Sequence, residues 1–131
     1  MNIAKQINKP TNKAAEFFGK LFQIRDQIHI NHLRITGIGA YSGHIALHDF
    51  YDEILDLTDT LIESYQGKYG LVEITIPTSS KTEPITTLED LAKLTDGGEA
   101  YSIFQDSWSR NQLDEISTLT YQTLYKLKNL K

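Results

Sequence analysis

The stretch from Ala40 to Gln66 constrains this chain most, because it reads as one long amphipathic helix with two informative faces. Leu47, Phe50, Tyr51, Ile54, Leu57, Leu61 and Tyr65 recur at three- and four-residue steps, the spacing of an apolar stripe that packs against a core. A second set, His44, His48, Asp59 and Glu63, falls at offsets of 4, 15 and 19 residues from His44. On a helix that turns roughly 100° per residue these four share an arc of about 100°, beside the apolar stripe and not within it. One face packs, and the other carries imidazoles and carboxylates.

The second face also limits how those groups can be used. His48 and Asp59 are 11 residues apart, hence about 16 Å apart along the axis at a rise of roughly 1.5 Å per residue. Metal–ligand bonds are only about 2 Å long, so no one ion can be held by both within a single chain. Two copies of the helix crossing antiparallel about a two-fold axis remove the difficulty. The His44/His48 end of one copy then meets the Asp59/Glu63 end of the other, and a dimer carries two equivalent sites. An intersubunit metal site is the expectation.

Here the residues resemble a known pattern. His32, eleven residues, His44, then Asp59 and Glu63 at their spacing along the helix resemble the ferroxidase signature of the Dps family of mini-ferritins. The flanking text is similar as well: H-L-R-I-T-G before the turn, Tyr41 three residues ahead of His44, and A-L-H-D-F-Y-D-E after it. The resemblance covers residues of about 15 to 66 well and the second half poorly. It implies an all-α, ferritin-like antiparallel bundle with a long loop and a short helix between its second and third long helices. It also implies oxidation of Fe(II) at dimer interfaces and storage of the ferric product in a hollow shell of many copies, a protection against iron and peroxide stress. By that resemblance His32, His44, Asp59 and Glu63 are ligands and carry the ferroxidase chemistry. At a fifth ligand position, where the family usually has aspartate, this chain has His48, and Leu33 stands where a tryptophan is common.

Composition excludes several other readings. With 131 residues the chain is long enough for one domain with a core of its own. A net charge of −4 argues against a surface generally attractive to nucleic acid and suits a protein that concentrates cations. There is no cysteine, hence no disulfide and no thiolate metal site. No apolar run approaches the roughly 20 residues of a membrane span, and the first residues lack the apolar core of a signal peptide, so a cytoplasmic, membrane-free protein is expected. No serine or lysine nucleophile stands beside a histidine base, which leaves hydrolase chemistry without support.

In chain order, residues 1–10 read as a mobile polar arm. Lys5, Lys9 and Lys13 are where DNA binding would lie, as in tails of the resembled family, although three lysines on an acidic chain more often serve solubility. A first helix is expected over about 11–35, on the stripe Ala14, Phe17, Phe18, Leu21, Ile24 and Ile28 with His32 continuing its face. Thr36-Gly37-Ile38-Gly39 ends it, and so short a connection makes the next helix an antiparallel neighbour that folds His32 back toward His44. The second helix is expected to stop near Gly67, and residues 68–86 read as extended loop. Thr87 caps a short helix through Leu94, similar to the small helix mini-ferritins insert at this point. After Asp96-Gly97-Gly98 the stripe Tyr101, Phe104, Trp108, Leu113, Ile116, Thr120, Leu124 and Leu127 slips one position, so 99–130 is either one helix or two broken at Asn111. That span is too short for two full-length helices, and a shortened or rearranged second half follows.

Each feature has a plainer reading beside it. An i, i+4 histidine pair alone is better explained by a solvated or core-edge pair; Asp59 and Glu63 on the same face, with His32 folding back, tip the balance to metal. His29 has no spaced partner and reads as structural or exposed. Asp52, Glu53 and Asp56 form a solvated face, with Asp52 near enough to support a ligand. Phe17, Phe18, Phe50, Tyr51, Phe104 and Trp108 are assigned to the core. Two functions stay open: a ferroxidase that sequesters iron, and a non-catalytic ferritin-like protein that binds zinc for structure or assembly, toward which a third imidazole shifts the preference.

Overall fold

In the computed structural model, which describes residues 12–78 and 82–131, the chain is all-helical. The described residues form five α-helices and no strand: α1 (Lys13–Arg34), α2 (Ala40–Tyr69), α3 (Pro84–Thr95), α4 (Gly98–Ile103) and α5 (Ser107–Asn129). The expected arm of residues 1–10, with Lys5 and Lys9, lies outside the described residues.

Asn12 starts α1 by accepting the Ala15 N–H on its side-chain oxygen at 3.0 Å, which satisfies one of the N–H groups a helix start leaves over. The turn to α2 contains Gly37 and Gly39, both with positive φ, which closes it in five residues. Gly43 leaves room for the Ile35 side chain just past α1: a Cβ there would stand 2.6 Å from Ile35 Cδ1. The second helix runs through Gly67, beyond the expected stop, and ends at Gly70 with φ 94°. Gly67 can be helical because nothing forces the left-handed conformation until the chain turns at Gly70.

Between α2 and α3 the described parts of the connection, 70–78 and 82–83, lie along α1 as a crossover. Thr75 lies against Gly19, and the amides of α1 hold the strap by its carbonyls: Gln23 to Thr78 at 2.6 Å and Asn31 to Thr82 at 3.3 Å. It therefore delivers α3 to the end of the bundle where α1 finished. The start of α3 is Pro84 and not Thr87, because proline at the first turn has no N–H to leave unsatisfied. Thr87, expected as the cap, is inside the helix and donates to the Glu83 carbonyl at 2.9 Å.

Helix α3 is a member of the bundle in its own right, packed on α1 and α5, while α2 packs on the other sides of α1 and α5. Thr95 meets Ser117 and Glu89 meets Lys128, so α3 and α5 are antiparallel. Lys68 and Tyr69 at the end of α2 bind Asp106 at the start of α5, and Ser42 at the start of α2 donates to Leu130 at the end of α5. The order is up, down, down, up, with one long crossover. The fourth corner is thus filled by residues 84–95 and not by dividing 99–130.

The last stretch does divide, but at Phe104–Asp106 and not at Asn111. Phe104 turns into the core, with ring centroids 5.0 Å from Phe17, 5.7 Å from Phe18 and 5.8 Å from Tyr65. The Arg110 guanidinium ties off the carbonyls this leaves, donating to Phe104 O and Tyr101 O. Of the aromatics assigned to the core, Phe17, Phe18, Phe50 and Phe104 are buried, whereas Tyr51 and Trp108 are half-buried. Ser109, next to Trp108, takes the inward position.

Candidate metal centre

The close turn between α1 and α2 sets His32, in the last turn of α1, against His44, in the first turns of α2. Their rings stack with centroids 3.8 Å apart and planes 23° apart. The main chain explains the pairing. The His32 carbonyl belongs to the last turn of α1, where carbonyls lack helical N–H partners. His44 Nδ1 lies 2.9 Å from it. A carbonyl only accepts, so His44 Nδ1 carries the hydrogen and its Nε2 keeps a lone pair.

His48, one turn further along α2, has its centroid 5.5 Å from that of His32. Its Nδ1 is 3.0 Å from the Tyr51 hydroxyl. Tyr51 stands at the middle of the group: its ring stacks on His29 at 4.1 Å and meets His32 and His48 edge-on at 5.1 Å each. His29 is therefore not a lone residue, as its sequence position suggests. It belongs to the cluster through Tyr51, with its ring 6.1 Å from His32. The available signal was the i, i+3 pairing of His29 with His32 on α1, matched by His48 with Tyr51 on α2.

His32 is buried, 7% exposed, and its Nδ1 has no hydrogen-bond partner. Its pKa lies below the ordinary 6.5, first because burial disfavours the charged ring and then because His44, His48 and His29 would each repel it. A neutral imidazole with an unused buried nitrogen has the chemistry of a metal ligand.

Asp59 and Glu63 are exposed on the same outward face of α2, toward its other end. They are not brought to the imidazoles of their own chain. Among the described residues, no group of three or more histidine, aspartate or glutamate side chains could hold a metal ion within one chain. The stacking of His32 on His44 agrees with that, since nearly parallel rings send their lone pairs alongside each other and not to one point. A single chain thus supplies imidazoles at one end of a face and carboxylates at the other. Three exposed apolar side chains border the imidazoles: Leu33 (68%), Tyr41 (79%) and Ile45 (41%).

A family of unknown function (DUF5856) matches residues 32–127. The chain belongs to that family. The matched span includes His32, His44, His48, Tyr51, Asp59 and Glu63, and leaves out His29 and most of α1. No curated protein and no solved structure matches the chain.

Proposed function

We propose that this protein is a ferritin-like ferroxidase of the Dps type, which oxidises Fe(II) at sites shared between two copies and sequesters the product in a larger shell. His44 and His48 of one copy, with His32 once its ring turns off the stack on His44, bind the iron together with Asp59 and Glu63 of the two-fold mate. The observation that carries the reading is the His44 Nδ1–H bond to the His32 carbonyl, which leaves Nε2 of His44 available beside a buried, neutral His32. A ligand histidine held at its other nitrogen by a backbone carbonyl is a common arrangement at metal sites. The up-down-down-up order with one long crossover supports the ferritin-like assignment, since that connectivity distinguishes such bundles from simple up-and-down ones. Exposed Leu33, Tyr41 and Ile45 beside the imidazoles favour a second copy on this face.

Iron here is substrate. Two Fe(II) ions lose one electron each, and peroxide takes both electrons with two protons to leave two waters; dioxygen is the alternative acceptor. Carboxylate oxygens from the mate suit the ferric product, while imidazoles hold Fe(II) with positions left open.

The test uses two variants, His44→Ala and Asp59→Ala, each expected to be without ferroxidase activity when refolded alone. Mixed equally and refolded together, half the dimers are hybrids with one intact site, so about a quarter of wild-type activity returns. Hybrid dimers that form and stay inactive overturn the shared site. The place of His48 beside His32 and His44 favours zinc as the second reading, because a third imidazole suits Zn(II). Tight Zn(II) binding with no ferric product from Fe(II) would establish that reading instead, and His48→Asp should then move the preference toward iron.

A further inference from the structure

Position 48 is where an imidazole replaces the carboxylate of the resembled family, and the two groups differ in one requirement. A carboxylate oxygen needs no proton placed for it to act as a ligand. An imidazole does: one nitrogen must carry the hydrogen so that the other can keep its lone pair.

Resting on the metal-binding reading above, we infer that Tyr51 is the positioning residue for His48, holding its Nδ1 so that Nε2 is the nitrogen offered to a metal. The Tyr51 hydroxyl is 3.0 Å from His48 Nδ1. The same end of the ring is held on the neighbouring histidine of the pair, where His44 Nδ1 is bonded to the His32 carbonyl. Both members of the i, i+4 pair are thus tied at Nδ1 to an oxygen, and Nε2 of each is left over. The two oxygens differ in kind. A carbonyl only accepts, whereas a phenol both donates and accepts, so Tyr51 can take the Nδ1 hydrogen whenever a metal occupies Nε2, and the metal then decides which way the bond points.

Tyr51 can aim that hydroxyl because its ring is clamped. His29 stacks on it with planes 19° apart at 4.1 Å, and His32 abuts it at 68°. Arg25 Nε donates to the Tyr51 carbonyl at 3.2 Å, and the Arg25 guanidinium sits 5.8 Å from the ring centroid. These contacts give His29 and Arg25, both on α1, a part in the site although neither faces a metal. The clamp crosses from one helix to the other, so it also holds the α1–α2 register at the imidazoles.

Tyr51→Phe removes the hydroxyl and keeps the stacked ring. Co(II), whose visible spectrum reports its ligands, serves as the probe in four proteins: wild type, Tyr51→Phe, His48→Ala and the double variant. In the wild-type background Tyr51→Phe should weaken Co(II) binding by about ten- to a hundred-fold, the usual effect of removing an outer partner of a ligand histidine. In the His48→Ala background it should do nothing further, because the residue through which it acts is gone. With Co(II) bound, the paramagnetically shifted Nδ1–H proton of His48 should be protected from solvent exchange in wild type and exchange faster in Tyr51→Phe, which lacks the oxygen that accepts it. Binding by Tyr51→Phe as tight as wild type overturns the inference, and so does an equal loss in both backgrounds, which marks a general structural role. Failure of the wild-type protein to bind Co(II) removes the metal reading itself and this inference with it.

Discussion

The two antiparallel pairs of this bundle are built from different materials. Between α1 and α2 the interior is bulky: Phe17, Phe18, Leu21, Ile28, Leu47, Phe50, Ile54 and Leu61 are all buried. Between α3 and α5 the buried set includes Thr87, Thr95, Ser109, Ser117, Thr120 and Thr123. Those hydroxyls are satisfied locally, since Thr95, Thr120 and Thr123 each donate to the carbonyl four residues back, and Thr95 also meets Ser117 across the seam at 2.9 Å. Large apolar side chains hold the first pair together from within and free its outer face to carry imidazoles. The second pair mixes these hydroxyl residues with Leu88, Leu91, Leu113 and Ile116, which are fully buried too, so its interior is partly polar where that of the first pair is mainly apolar. A short α3 serves as a full corner by burying Thr87, Leu88, Leu91, Ala92 and Thr95 along one side.

The largest effect that would sharpen this contrast is expected in the first pair. Phe50→Ala should cost about 3–5 kcal/mol, the usual range for emptying a fully buried aromatic site, read from denaturant midpoints. A loss below about 1 kcal/mol would mean that bulk is not what holds α1 to α2. Next comes Ser117→Leu in the second pair. If the seam is as close as its residues suggest, the larger side chain should destabilise by about 1–3 kcal/mol through overpacking, despite its greater hydrophobicity. Stabilisation by Ser117→Leu would break the contrast outright.

A smaller effect separates the pairs by pH. His32 is the one titratable side chain among the buried polar groups of the described residues, and it lies in the first pair. Burial and the neighbouring imidazoles hold its pKa below 6.5, so the unfolded chain takes up the proton first on acidification. Its contribution is whole above pH 6.5 and is lost as the pH falls through the lowered value in the folded protein. The wild-type denaturation midpoint should therefore drop more steeply on acidification than that of His32→Gln. Parallel curves would show that His32 is not the group responsible. The smallest effect belongs to Thr120→Val, which removes a hydroxyl bonded only to the Ile116 carbonyl at 2.7 Å. A change within about 1 kcal/mol is expected by thermal or chemical melting, and a larger loss would show that the seam's hydroxyls act across it as well as along it.

This difference in materials also decides what could be read in advance. The all-helical class, the stripes of α1 and α2, and the approach of His32 to His44 follow from periodicity plus one short turn. The break at Phe104–Asp106 was hidden because hydropathy follows bulk, and the inward position beside half-buried Trp108 belongs to Ser109. The role of α3 was missed for a related reason, since a short helix that meets α5 partly through the hydroxyls of Thr95 and Ser117 resembles a surface insert. At the site, His44 and His48 share one helix, where spacing alone puts them on one face. His29 and Tyr51 are 22 residues apart on two helices, and their stacking depends on inter-helix register, which no periodicity encodes.

The seat of the crossover on α1 has a practical consequence. A Cβ at Gly19 would lie 2.1 Å from the Thr75 carbonyl oxygen, so the strap rests on a notch that only a residue without a side chain can leave open. Thr75 falls inside the span matched by the family, and Gly19 falls outside it. The matched span is therefore shorter than the unit that folds. A piece cut at its first residue would keep the strap, lose the groove it lies in, and uncover the side of Phe104 that now faces Phe17 and Phe18. Relatives should accordingly be aligned from the start of α1, with residue 19 as the marker: a bulky side chain there signals a crossover that takes another route.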